Sequence, residues 1–257
     1  MRRPGDSRMQ ALAGFCLLLF VATVSVVGVR MLLLARRTRG RHEQLIGAGM
    51  VLIGTIGFPG GIVSGFGRSV GEMNMPVWFI STLITQIGIT LIYAFTWQVF
   101  RPNARWGRAI VVAAALVMLL SLVLTARVFA AASPDASSQA VARDTVFLGM
   151  IGYCGCFLWS AIEGFIHHRN ARRRMALGLA DAVVVNRFLL WGFFGVCATG
   201  INATSFIGNA IGADPAHSPL VLVPMGVLGA IASVAMYLAF LPPASYLKRI
   251  RARGLAV

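Results

Sequence analysis

Residues 113–120 read Ala113-Ala114-Ala115-Leu116-Val117-Met118-Leu119-Leu120. Every side chain in this stretch is apolar. A strand of a membrane barrel would alternate apolar and polar positions, with one face to lipid and one to a lumen. A helix of a soluble protein would carry a polar stripe. A run that is apolar on every face fits a helix surrounded by lipid, where all backbone hydrogen bonds must be made within the segment.

Working outward, the apolar run extends over residues 109–131, enough for the roughly 20 residues a helix needs to cross a bilayer. Six further segments reach that length: 11–34, 45–66, 77–100, 145–166, 188–211 and 220–241. The sequence therefore predicts an all-α membrane protein, a single domain built as a seven-transmembrane helix bundle. Composition agrees. The chain has 257 residues, of which 58% are hydrophobic and only 12% charged. Soluble domains carry about 25% charged residues. Mean hydropathy is +0.78.

The formal net charge is +15. On a soluble chain that would point to nucleic acid, but here the basic residues sit between apolar runs and follow the positive-inside rule. Arg30, Arg36, Arg37, Arg39 and Arg41 follow the first span. Arg101, Arg105 and Arg108 follow the third. Arg169, Arg172, Arg173, Arg174 and Arg187 follow the fifth, and Lys248, Arg249, Arg251 and Arg253 follow the seventh. The opposite side holds Arg2, Arg3, Arg8, Arg68, Arg127 and Arg143. The expectation is an outside N-terminus and a cytoplasmic C-terminus, in the inner (plasma) membrane of a bacterial-type cell. Met1-Arg2-Arg3 looks like the start of a signal peptide, but no small-residue cleavage site precedes the Arg36 cluster, which favours an uncleaved anchor.

The links are short, so no attached catalytic or DNA-binding domain is expected. A shift of 143 positions lays Gly57 on Gly200, Gly65 on Gly208 and Pro76 on Pro219. This faint 3+1+3 repeat, with the fourth span as linker, resembles the layout of SWEET sugar exporters and of opsin-like receptors. Shared helix-packing composition accounts for the same matches. The opsin resemblance stops at layout. A retinal Schiff base needs a lysine in the seventh span, and the sole lysine is Lys248 in the tail.

Ionisable residues inside a membrane span mark the first places to look for function. Glu163 lies about a turn inside the predicted inner end of the fifth span. It could serve a proton relay or substrate coupling. Equally, it could form a helix-end ion pair with Arg30 or Arg187, or pair with His167 four residues on. Gln86, near Thr82, Thr85 and Thr90, and Asn202, with Thr204, Ser205 and Asn209, are the buried amides. They could line a polar site between the third and sixth spans or serve as interhelical hydrogen bonds. Pro59, within a glycine-rich second span, predicts a helix kink or a break exposing backbone carbonyls.

No cofactor or metal is expected. Cys154 and Cys156 point about 200° apart on a helix. Met73, Met75 and His217 fall in outside loops, and no two histidines face each other within spans. Without a nucleophile–base pair or metal set, the chain is not expected to be an enzyme. Arg172, Arg173 and Arg174 would face anionic lipid headgroups or a partner protein. The function expected is that of a sensor, receptor-like protein or accessory subunit acting through a cytoplasmic partner. The alternative is a small-solute transporter or channel using the polar site between spans three and six.

Overall fold

The computed structural model describes residues 4–65, 74–131, 138–213 and 218–254. They are helical almost throughout, and no strand occurs among them. In chain order the helices are α1 (Pro4–Thr38), α2 (Arg41–Val51), a π-helical turn (Leu52–Gly57), α3 (Phe58–Gly65), α4 (Met75–Phe100), α5 (Arg105–Ala131), α6 (Ser138–Ala176), α7 (Ala182–Ala210), α8 (Pro219–Phe240) and α9 (Ala244–Gly254). Seven helical spans are long and apolar enough to cross a membrane, with α2, the π turn and α3 acting as one. Large apolar side chains on their outer faces are half or more exposed, among them Leu12, Phe15, Leu116, Leu119 and Val234. In water such a surface would drive aggregation; in a bilayer it is solvated by lipid.

Six of the spans close a ring. α1 packs on α2 and α8, α8 on α7, α7 on α6, α6 on α4, and α4 on the α2–α3 span. α5 lies outside the ring, against α4 and α6. The interior is filled by Val27, Ile46, Met50, Ile89, Ile92, Cys156, Trp191, Phe194 and Met236. Trp191 reaches three helices, with Phe95 of α4 at 5.5 Å, Phe194 of α7 at 5.4 Å and Phe240 of α8 at 6.1 Å between ring centroids.

Small residues set the closest helix pairs. A side chain carbon on Gly164 of α6 would stand 2.9 Å from the backbone nitrogen of Gly192 on α7. One on Gly49 of α2 would stand 2.9 Å from the carbonyl oxygen of Gly88 on α4. Backbone cannot yield as a flexible side chain can, so these positions hold helices together by lacking a Cβ. In lipid, such van der Waals contact is a main source of helix association.

Three features add to the sequence reading. First, the helix just before Pro59 is wound as a π turn. The helix widens to π geometry over Leu52–Gly57, and the Phe58 amide donates to Ile53, five residues back. A proline ring clashes with the carbonyl four residues earlier, and the wider turn moves that carbonyl away. Second, the helix that carries the fifth span does not end near residue 166. α6 continues to Ala176, 39 residues in all, or about 58 Å, against a hydrocarbon core of about 30 Å. It stops at Gly178, which takes φ +71°. The Gly178 amide donates to Met175 and the Leu179 amide to Arg174, both at 2.9 Å, the paired bonds that close a helix C-terminus around a left-handed residue. Third, the tail beyond Pro242-Pro243 forms α9.

Candidate functional site

α4, α5 and α6 converge at the arginine-rich end of the bundle, and there they bury a carboxylate. α4 ends at Phe100, and a tight turn through Arg101 and Ala104 leads into α5. Glu163 of α6 stands level with that turn. Its side chain is only 3% exposed. Oε1 accepts from Arg101 Nε at 2.8 Å and from Trp159 Nε1 at 3.2 Å. Oε2 is buried without a hydrogen-bond partner and lies 3.6 Å from His167 Nδ1. That nitrogen donates to the Glu163 backbone carbonyl at 3.0 Å, which fixes its proton on Nδ1.

Aromatic rings wall this cluster. The Arg101 guanidinium lies 5.9 Å from the Trp106 ring centroid, within cation–π range. Trp106 packs on Trp159 at 5.9 Å. On the other side Phe100 meets His167 at 4.8 Å and Phe188 of α7 at 6.1 Å. The hydrogen bond to Glu163 raises the Arg101 guanidinium pKa above its ordinary value. Arg101 keeps a side-chain exposure of 38%, so the pair joins the protein interior to its surface at that end.

Of the expected partners, His167 stands beside Glu163 and the two arginines do not. Neither Arg30 nor Arg187 pairs with Glu163; Arg101 does, with His167 as the second neighbour. The carboxylate is also placed differently. α6 runs 13 residues past Glu163, so its depth is set by the end of α4 and not by the end of its own helix.

A polar seam continues from this cluster along α4 and α6. One turn further in, Thr96 and Ser160 share a hydrogen bond at 2.8 Å, both fully buried. The Tyr93 hydroxyl then donates to the Gly152 carbonyl at 2.8 Å. Beyond it lies Gln86, also buried. Its amide nitrogen lies beside Gly149, which faces Ser121 of α5. Most partners in this seam are on different helices, so they tie α4 to α6 and use polar groups that lipid could not satisfy.

The remaining candidates sit apart. Asn202 donates to the Ala198 carbonyl one turn back on its own helix at 2.8 Å. Asn209, at the far end of α7, accepts from the Gly212 amide through its backbone carbonyl at 3.2 Å. Gln86 and Asn202 thus have different neighbours, and no bond joins them among the described residues. Cys156 is buried, with its thiol 3.6 Å from the Ile89 carbonyl, while Cys154 is half-buried. Met73 and His217 lie outside the described residues. Arg172, Arg173 and Arg174 are exposed on the last turns of α6. Asp181 caps α7, its carboxylate accepting from the Val183 amide at 2.8 Å.

Fold and site define a class: an all-helical, multi-pass membrane protein with, among the described residues, one buried carboxylate–guanidinium tie at its arginine-rich end. No known protein family matches the chain, and neither a curated protein nor a solved structure matches it.

Proposed function

We propose that this protein is a non-enzymatic membrane sensor or accessory subunit that acts through a cytoplasmic partner. The observation that carries the proposal is the position of Glu163 on α6. The buried tie to Arg101 fixes α6 against α4, and the same helix then projects about 15 Å further to the exposed Arg172, Arg173 and Arg174. A shift in α4–α6 packing would move that arginine-rich end as a rigid lever. The uneven division of basic residues supports placing this end in the cytoplasm, beside anionic headgroups of a plasma membrane. A transport path is less well supported, because Gln86 lies beside Gly149 of α6 while Asn202 bonds within α7.

The test combines crosslinking with flux. Photo-crosslinkers at positions 172 and 173 in native membranes should give one discrete cytoplasmic protein adduct. Glu163→Gln should change its yield, and replacing Arg172, Arg173 and Arg174 with Ala should abolish copurification of that protein with the chain. Solute flux in proteoliposomes that disappears with Gln86→Leu or Asn202→Leu would overturn the proposal in favour of transport.

A further inference from the structure

An open groove of about 390 Å³ runs along the outer face of the α7–α8 seam. Leu190 and Phe193 of α7 and Ala230, Ile231, Val234 and Ala235 of α8 line it, and every lining side chain is apolar. The volume lies within the ~300–1,000 Å³ range of ligand-binding clefts. Phe193, Ile231 and Val234 are about half exposed, so the groove opens toward the surroundings of the bundle and not into its core.

The foot of this groove is polar and basic. Asn186 lies one turn before Leu190 on the same face of α7. Its amide donates to the Tyr246 hydroxyl of α9 at 3.0 Å. α9 begins at the end of α8, just past Pro242-Pro243, and its first turn reaches α7 at Asn186. It therefore crosses beneath the seam. Tyr246, Leu247 and Ile250 form its covered face, while Lys248, Arg249 and Arg251 are exposed. Arg187 is exposed at the same level, and α9 carries no acidic residue. Arg187 thus stands within about one helical turn of the groove's Leu190, and the Asn186–Tyr246 bond brings the basic helix α9 to the same end.

We propose that the α7–α8 groove and α9 form a binding site for one anionic phospholipid. An acyl chain occupies the groove, and the phosphate meets Lys248, Arg249 and Arg187. An apolar channel and a cationic foot, joined end to end, match the two halves of this molecule. Neither half alone would separate an anionic lipid from bulk lipid. Basic side chains at an anionic membrane surface contribute on the order of 1 kcal/mol each, so three give a preference of up to about a hundredfold over a zwitterionic lipid.

The experiment is lipid retention by native mass spectrometry, on the full chain in micelles doped equally with phosphatidylglycerol and phosphatidylcholine. The wild type should retain one phosphatidylglycerol in at least about tenfold preference. Replacing Arg187, Lys248 and Arg249 with Gln should bring the ratio near one. Val234→Trp, which fills the groove from an exposed position, should reduce retention of both lipids. Replacing Arg36, Arg37 and Arg39 with Gln should leave the preference intact. No preference in the wild type, a preference that survives the Arg187/Lys248/Arg249 replacement, or undiminished retention by Val234→Trp would overturn the site. A second readout needs no variant. Phosphatidylglycerol with a photoreactive acyl chain should label the wild type within residues 190–193 and 230–235, and labelling confined elsewhere would refute the proposal.

Discussion

Replacing Arg101 with Leu removes the only arginine that touches Glu163 among the described residues. It leaves a carboxylate that is 3% exposed with one indole N–H and a histidine 3.6 Å away. Breaking a buried ion pair from one side costs about 3–5 kcal/mol, because the other charge is stranded. Arg101 is itself more than a third exposed, which weakens the tie, so about 2–3 kcal/mol is expected. Glu163→Gln has a smaller effect. The amide keeps an acceptor at the Oε1 position, and Arg101 can turn to water, giving about 1 kcal/mol. The double variant strands no charge and should lose only about 1–1.5 kcal/mol. The two changes are therefore strongly non-additive, with a coupling near 2 kcal/mol. Reversible unfolding of the purified protein in mixed micelles, followed by helical circular dichroism, measures all four corners of this cycle. Additivity within about 0.5 kcal/mol would refute the reading that Arg101 and Glu163 form one structural tie.

Other expectations follow from single contacts. Gly164→Ala sets a methyl against the Gly192 backbone and should destabilise by about 1–3 kcal/mol in the same assay. Gly14→Ala, with no atom within 4 Å of the added carbon, should be neutral or stabilise by up to about 1 kcal/mol. Asn186→Leu removes the bond to Tyr246. Hydrogen exchange over residues 244–254 should then quicken by roughly fivefold, the equivalent of about 1 kcal/mol, while exchange in α8 stays unchanged.

The spans were legible because lipid imposes one simple requirement, about 20 apolar residues with their backbone bonded internally. The end of α6 was not. Hydropathy marks where a helix leaves the bilayer, and α6 goes on past that point with arginines that are good helix formers. Gly178 was the available signal, a glycine directly after the basic turns. Two contacts of Glu163 could be read from helix periodicity, since Trp159 and His167 lie four residues to either side. The Arg101 contact could not. It spans 62 residues and depends on how the end of α4 meets α6. α9 left a trace in the spacing of Tyr246, Leu247 and Ile250, too short to stand out beside seven strongly apolar spans. Gln86 and Asn202 were visible as polar residues in apolar helices, but periodicity did not say which neighbour each would meet.

Membrane topology is the most direct measurement, because both the sensing role and the position of the Glu163 tie depend on it. Paired reporters, one active only in the cytoplasm and one only outside it, are fused after Val257 and inserted next to Ser137. Three spans, α6, α7 and α8, separate the two positions. The account predicts cytoplasmic activity after Val257 and outside activity at Ser137. Activity on the same side at both positions, or the reverse arrangement, would contradict it.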